Sequence, residues 1–246
     1  MKKLIFIILA LTFHLTTFGQ IKKHGVSIFI CNPNQYNSIY GQYSEYYETL
    51  TIDQNSYSTG IILNYKLTDT VSIHLRTGLN KINISQFRDD FNSGYYYTVD
   101  YKEEQNNYIL APGLTWNLNY RKFNFFGGFE IPFNILGKRT GDWYNTSYDS
   151  LTMNMTKWNR NVTTIPKGFS IGGGALFGFN YYPFKWVAIG TEYSPSLSFI
   201  NISGDITHES TGSVSPFVVS EPIIKYKSHE SFFFEQRLTF KISIWF

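Results

Sequence analysis

The stretch that most constrains the fold is the last one, Phe232 to Phe246, which reads FFFEQRLTFKISIWF. From the end backwards, apolar residues occupy every second position: Phe246, Ile244, Ile242, Phe240, Leu238, and then Phe234 and Phe232, with Gln236 the one exception. Glu235, Arg237, Thr239, Lys241 and Ser243 stand between them. A strand places alternate side chains on opposite faces, so this pattern makes one face apolar and the other polar and charged. A helical period of 3.6 would scatter both sets around the axis.

The same period of two recurs along the chain. Residues 24–32 carry Val26, Ile28 and Ile30. Residues 57–67 and 71–80 are separated by the short turn 68–70. Residues 108–118 and 123–135 flank the turn 119–122, and residues 169–181 and 187–197 flank the turn 182–185. The remaining connections are long and polar, at about 33–54, 85–107, 137–167 and 198–230. Eight strands joined alternately by long and short connections predict an antiparallel up-and-down barrel with both termini at one end.

Composition narrows the setting. Charged residues make up 16 % and aromatics 19 % of the chain, yet the mean hydropathy is −0.20. A helical membrane protein would be strongly apolar on average, whereas the two faces of membrane strands cancel. Beyond the first residues, no run reaches the ~18 consecutive apolar residues of a spanning helix. A net charge of +3 gives no reason to expect nucleic acid as a partner. Residues 1–19 have the form of a signal peptide, with Lys2 and Lys3 before the apolar run 4–11 and small residues Thr17 and Gly19 near the end. Residues 20–246 are then the mature barrel domain. Its single cysteine, Cys31, excludes an internal disulfide.

An exported chain of this pattern fits a transmembrane β-barrel, because only a closed barrel leaves no open strand edge in lipid. Most predicted strands have the ~9–11 residues that cross a membrane at a steep tilt. Short turns are then periplasmic and long loops extracellular. Tyr65, Trp116, Tyr120, Phe123, Tyr181, Trp186 and Phe246 gather at the short-turn end, as a periplasmic aromatic girdle would. Pro112, Pro132 and Pro195 fall inside strands and predict bulges there or strand ends lying above the membrane. The competing fold is a soluble secreted barrel or sandwich.

Several segments resemble the small outer-membrane β-barrel family of Bacteroidetes-type bacteria, OmpA/OmpX-like and including the PorT-type barrels. They are Phe18-Gly19-Gln20, Tyr108 to Leu114 (YILAPGL), Phe125 to Glu130 (FFGGFE), Gly190-Thr191-Glu192-Tyr193 and the Phe246 terminus. The chain departs from the family at Leu110-Ala111, where members often carry Glu-Ile. The resemblance implies a bacterial outer-membrane location and reading of the Phe246 terminus by the barrel-assembly machinery. It spans structural, adhesive, transport and secretion-linked roles.

The inward faces carry His74, Arg76, Glu130, Glu192, Glu235, Arg237 and Lys241, which predicts a lumen network of ion pairs, since charges in so narrow an interior must be paired. Inward glycines (Gly172, Gly174, Gly178, Gly190) make room for Phe126 and Leu176. The favoured reading is a closed lumen, and the alternative is a gated, porin-like narrow pore. No metal-ligand spacing and no cofactor motif occurs. His208 with Ser210, and His229 with Ser228 and Ser231, are Ser/His neighbours of a kind common by chance, so a lipid-modifying enzyme is the least favoured class. The long loops form the expected functional surface. The first is acidic and tyrosine-rich (Tyr36, Tyr40, Tyr43, Glu45, Tyr46, Tyr47, Glu48). The second is acidic (Asp89, Asp90, Asp100, Glu103, Glu104), and the third is basic (Lys138, Arg139, Lys157, Arg160, Lys167) with Trp143 and Trp158. Expected partners are outer-membrane lipid, lipopolysaccharide and an extracellular or secretion-system protein. The overall expectation is a non-enzymatic structural or surface-interaction role, with transport or secretion as the alternative.

Overall fold

The computed structural model describes residues 23–34, 52–54, 57–92, 95–214, 217–220, 223–226 and 230–246. The expected signal segment, nearly all of the first loop, and Ser228 and His229 lie outside them. The strands are β1 (His24–Asn34), β2 (Ile52–Gln54), β3 (Tyr57–Lys66), β4 (Val71–Asn92) and β5 (Tyr95–Tyr120). Then come β6 (Phe123–Glu130), β7 (Phe133–Leu136), β8 (Arg139–Asp149), β9 (Met155–Ile165) and β10 (Gly168–Phe184). The last are β11 (Val187–Ile202), β12 (Ile206–Val214), β13 (Phe217–Ser220), β14 (Ile224–Tyr226) and β15 (Glu230–Trp245).

Eight of these positions close a ring. β1 pairs with β3, β3 with β4, and β4 with β5. β6 and β7 act as one interrupted strand between β5 and β10. β10 pairs with β11, β11 with β15, and β15 with β1, all antiparallel. Val26 faces Ile244 across the closing seam, and the Phe246 amide donates to the His24 carbonyl at 2.9 Å. A ring has no free edge, so the expected closed barrel stands and the competing sandwich falls: the sheet pairs with itself instead of stacking on a second one. The three short turns and both ends of the described chain lie at one end. At one of those turns Arg121 takes a φ of 55°.

The alternation read from the sequence runs through every ring strand. On β11, Ala188, Gly190, Glu192, Ser194, Ser196 and Ser198 are buried, while Ile189, Tyr193 and Leu197 are exposed. On β15, Glu235, Arg237, Thr239 and Ser243 point in, and Phe234, Leu238, Phe240, Ile242 and Ile244 point out. Charges are inside and large apolar side chains outside, the inverse of a water-soluble core.

The bulges expected at the three prolines are absent. Across Ile131 and Pro132 the partners shift in step, from Gly113↔Glu130 to Leu110↔Phe133, so the register is kept. Pro132 loses only the donor it lacks, and its carbonyl still accepts from the Gly172 amide at 2.9 Å. Pro195 stays in register with Gln236, and Pro112 with Leu75. Register shifts occur near strand ends instead, between Tyr181 and Phe184 and between Ser147 and Tyr148.

A second correction concerns the long polar segments. The stretch 85–107, expected as a loop, is a continuation of β4 and β5, which stay paired from Val71↔Trp116 to Asn92↔Tyr95. The stretch 137–167 forms the hairpin β8–β9, which lies beside the upper half of β5. β12, β13 and β14, from the fourth segment, extend the same surface. Beyond the ring, β2, β4, β5, β8, β9, β12 and β13 are neighbours in that order and form an upper sheet. Its strands are rich in Tyr, Thr, Val and Trp, residues that favour strands whatever their average polarity.

Candidate functional site: the lumen and the upper sheet

All seven residues of the expected lumen network point inward and meet. The Arg76 guanidinium donates from Nε to Glu130 Oε2 at 3.2 Å and from an Nη to Glu192. Arg237 donates an Nη to the other Glu130 oxygen and lies 3.8 Å from Glu235. Lys241 Nζ donates to Glu192 Oε2 at 3.1 Å, and His74 Nε2 is 3.8 Å from Glu130. These contacts join walls that are not neighbours in the ring: Arg76 on β4 reaches β11, and Arg237 on β15 reaches β6. Three cations thus meet three carboxylates, with His74 alongside. Arg76 and Glu130 are each 1 % exposed, so the layer fills the cross-section. Arg76 also lies over the Phe29 ring, and Lys241 over the Phe126 ring at 4.1 Å.

Glycine makes this packing fit. A side chain at Gly178 would meet the Phe126 ring, and one at Gly113 the His74 imidazole.

Toward the short-turn end lies an asparagine belt that sequence reasoning did not single out. Asn180 donates to Asn124 at 3.0 Å, and Asn124 donates to Asn119 at 2.9 Å and to Asn117 at 3.3 Å. Asn117 donates to Ser72 Oγ at 3.0 Å, Asn64 to Ser27 Oγ at 3.2 Å, and Ser27 pairs with Ser243 at 2.7 Å. The signal was the recurrence of Asn at inward positions of four strands, visible only once the register aligns them. The belt and the ion layer line a small cavity of about 30 Å³. At ~10–15 Å³ for each water centre, that is room for two or three waters, not for an organic substrate.

Toward the opposite end, apolar side chains cluster on one side of the ring. Leu136, Ile165, Ile200 and Ile202 are buried together, with Ile206 packed against them. They come from β7, β9, β11 and β12, where the ring passes into the upper sheet. This cluster was also missed, because all of its members lie beyond the predicted strands.

The expected girdle residues occupy the short-turn end. Tyr65, Trp116, Tyr120, Phe123, Tyr181 and Trp186 are exposed, and Phe246 is half-buried with its ring 6.5 Å from His24. Phe123 and Tyr181 approach to 5.3 Å between ring centres, and His24 and Tyr65 to 5.1 Å.

In the upper sheet the acidic second segment and the basic third one become strand neighbours. Glu103 on β5 and Arg139 on β8 form a buried ion pair, and the Tyr101 hydroxyl donates to Glu103 at 2.5 Å. On the other face Arg160 grips Asp142 with two nitrogens, at 2.9 and 2.6 Å. These hydrogen bonds, the Arg160 charge and the nearby Lys102 hold the Asp142 carboxyl below the usual carboxylate range. Asp149, at the β8–β9 turn, is also lowered, by the amide and hydroxyl of Thr152 and the amide of Leu151. His208 Nδ1 bonds Thr163 Oγ1 at 2.9 Å and Ser210 bonds Asn159 at 3.4 Å, so this Ser/His pair is turned to other partners. Cys31 is buried beside Phe29 and Ile62.

No family model matches the chain, and no curated protein matches it. Among solved structures, Neisserial surface protein A (NspA) aligns at 9 % identity and a TM-score of 0.32, over 93 % of this chain and all of that one. Ail, the attachment invasion locus protein of Yersinia pestis, aligns at 9 % identity and a TM-score of 0.31, over 92 % of this chain and 99 % of that one. The fold therefore rests on its own strand pairing. By that pairing the chain is an all-β, eight-stranded antiparallel up-and-down barrel, polar inside and apolar outside.

Proposed function

We propose that the protein is an integral outer-membrane barrel of a bacterium, sealed through its lumen, that presents a rigid β surface to the exterior. One observation carries this reading: the ring is apolar outside and charged inside. In water, the exposed Leu, Ile and Phe side chains of eight strands would cost tens of kcal/mol, at roughly 25 cal/mol per Å². In a bilayer they are at home. The short turns and the Phe246 end are then periplasmic, and the upper sheet is extracellular. Kinship with OmpA/OmpX-like and PorT-type barrels, assembly through the Phe246 terminus, and contact with lipopolysaccharide belong to the same proposal.

The role is surface interaction without catalysis. The ion layer favours a plug over a pore, and the upper sheet is the part with accessible chemistry. A transport or secretion role is the second reading, favoured by the polar cavity at the short-turn end. Membrane fractionation and gel mobility in SDS before and after boiling test the proposal. Outer-membrane recovery with faster migration before boiling is the expected result. A soluble periplasmic protein with no mobility shift overturns it. Single-channel recording in planar bilayers then separates plug from pore: the expected trace is silent, and steady conductance moves the protein to the transport class.

A further inference from the structure

The upper sheet has two unlike faces. The face continuous with the lumen carries Glu103, Arg139, Tyr101 and Trp143. The face continuous with the outer barrel wall carries Tyr144 and Trp158, whose ring centres lie 6.3 Å apart at a shallow 35°. Tyr144 and Arg160 are exposed there, and the guanidinium is already locked to Asp142. Thr98 bonds Thr146 across β5 and β8 next to the pair, and farther along the same face Thr140 on β8, Thr164 on β9 and Thr207 on β12 form a row.

We propose that this outward face binds an uncharged glycan, with Trp158 and Tyr144 as the stacking platform. The inference rests on the exterior placement of the upper sheet proposed above. Three physical features select that ligand. First, two neighbouring aromatic rings on one face, Tyr144 exposed and Trp158 half-buried, offer apolar surface to the C–H face of a sugar ring, with polar groups beside it. Second, hydroxyls and a pre-paired carboxylate and guanidinium supply donors and acceptors in fixed places, matching sugar hydroxyls that need both. Third, Asp100, Glu104, Asp142 and Glu209 on this face outnumber Lys102 and Arg160, which disfavours phosphorylated or sulfated ligands.

The test uses the full mature chain in lipid nanodiscs, with co-sedimentation on three insoluble probes: an α-glucan, a β-glucan and a mannan. Retention on at least one, lost at least tenfold in Trp158→Ala and largely kept in Trp158→Phe, is the expected result. The boiling-dependent mobility shift of every variant is read on the same samples. Its loss in the wild type would indict the barrel proposal, whereas its persistence without retention on any probe overturns the glycan site alone. Retention equal in wild type and Trp158→Ala also overturns it. So does binding confined to a sulfated polysaccharide or to a co-purifying protein.

Discussion

Two carboxylates, each gripped by arginine, sit in the same continuous sheet and live in different worlds. Glu130 lies in the lumen between Arg76 and Arg237, out of reach of water. Asp142 lies in the upper sheet against Arg160, and the side chains are 34 % and 53 % exposed. The Asp142 geometry is the tidier of the two, with two nitrogens on one carboxylate. Yet burial, not geometry, sets what loss of a partner does. A buried charge stripped of its partner has no water to turn to, while an exposed one is simply rehydrated. The lumen pairs therefore hold walls together, and the Asp142 pair shapes a surface.

That contrast can be broken in order of expected effect. Glu130→Ala leaves two buried guanidiniums short of a carboxylate and is expected to destabilise the barrel by about 3–5 kcal/mol, read as a lower urea midpoint for the mobility shift. An unchanged midpoint would mean the ion layer is hydrated and bears little load. Glu103→Ala removes the carboxylate partner of Arg139 where β5 meets β8, at about 2–4 kcal/mol. Here the loss should be local: faster protease cleavage within residues 139–165 while the mobility shift survives. Asn124→Ala takes the central member out of the asparagine belt, three hydrogen bonds at about 1 kcal/mol each at most, again read from the urea midpoint.

Arg160→Ala is the smallest change, about 0.2–1 kcal/mol. Its sharper readout is Asp142 itself, followed by NMR. A carboxyl held low in the folded state adds stability above its unfolded pKa, and that stability fades as pH falls through the folded value. The wild-type contribution should thus be present above about pH 4 and vanish below it, and Arg160→Ala should return the Asp142 titration to the ordinary range. If the Asp142 titration does not move, Arg160 is not what lowers it.

Legibility in the sequence followed the same division. The ring strands were readable because outward-facing and lumen-facing residues alternate along them, as in Phe232 to Phe246 with the single exception of Gln236. The ion layer was readable for a related reason: charges at inward positions of a narrow barrel have only one another. The upper sheet was not readable as strand, since both of its faces are polar or aromatic and no alternation marks it; Tyr95 to Lys102 looked like loop on polarity alone. The asparagine belt and the Leu136–Ile165–Ile200–Ile202 cluster were not legible, because each is assembled from one or two residues per strand on strands far apart in the chain.

The sequence by itself determined the period of two, the inward and outward sets, and the chain end at which the short turns gather. These follow from the covalent alternation of a strand and need no knowledge of neighbours. Tertiary structure alone decided which inward charge meets which. It also decided that the prolines stay in register without bulging, and that the polar segments stand up as a paired sheet. Those outcomes depend on what lies across the strand pairing, and only the closed ring brings residues as distant as Arg76 and Glu192 within a bond's reach.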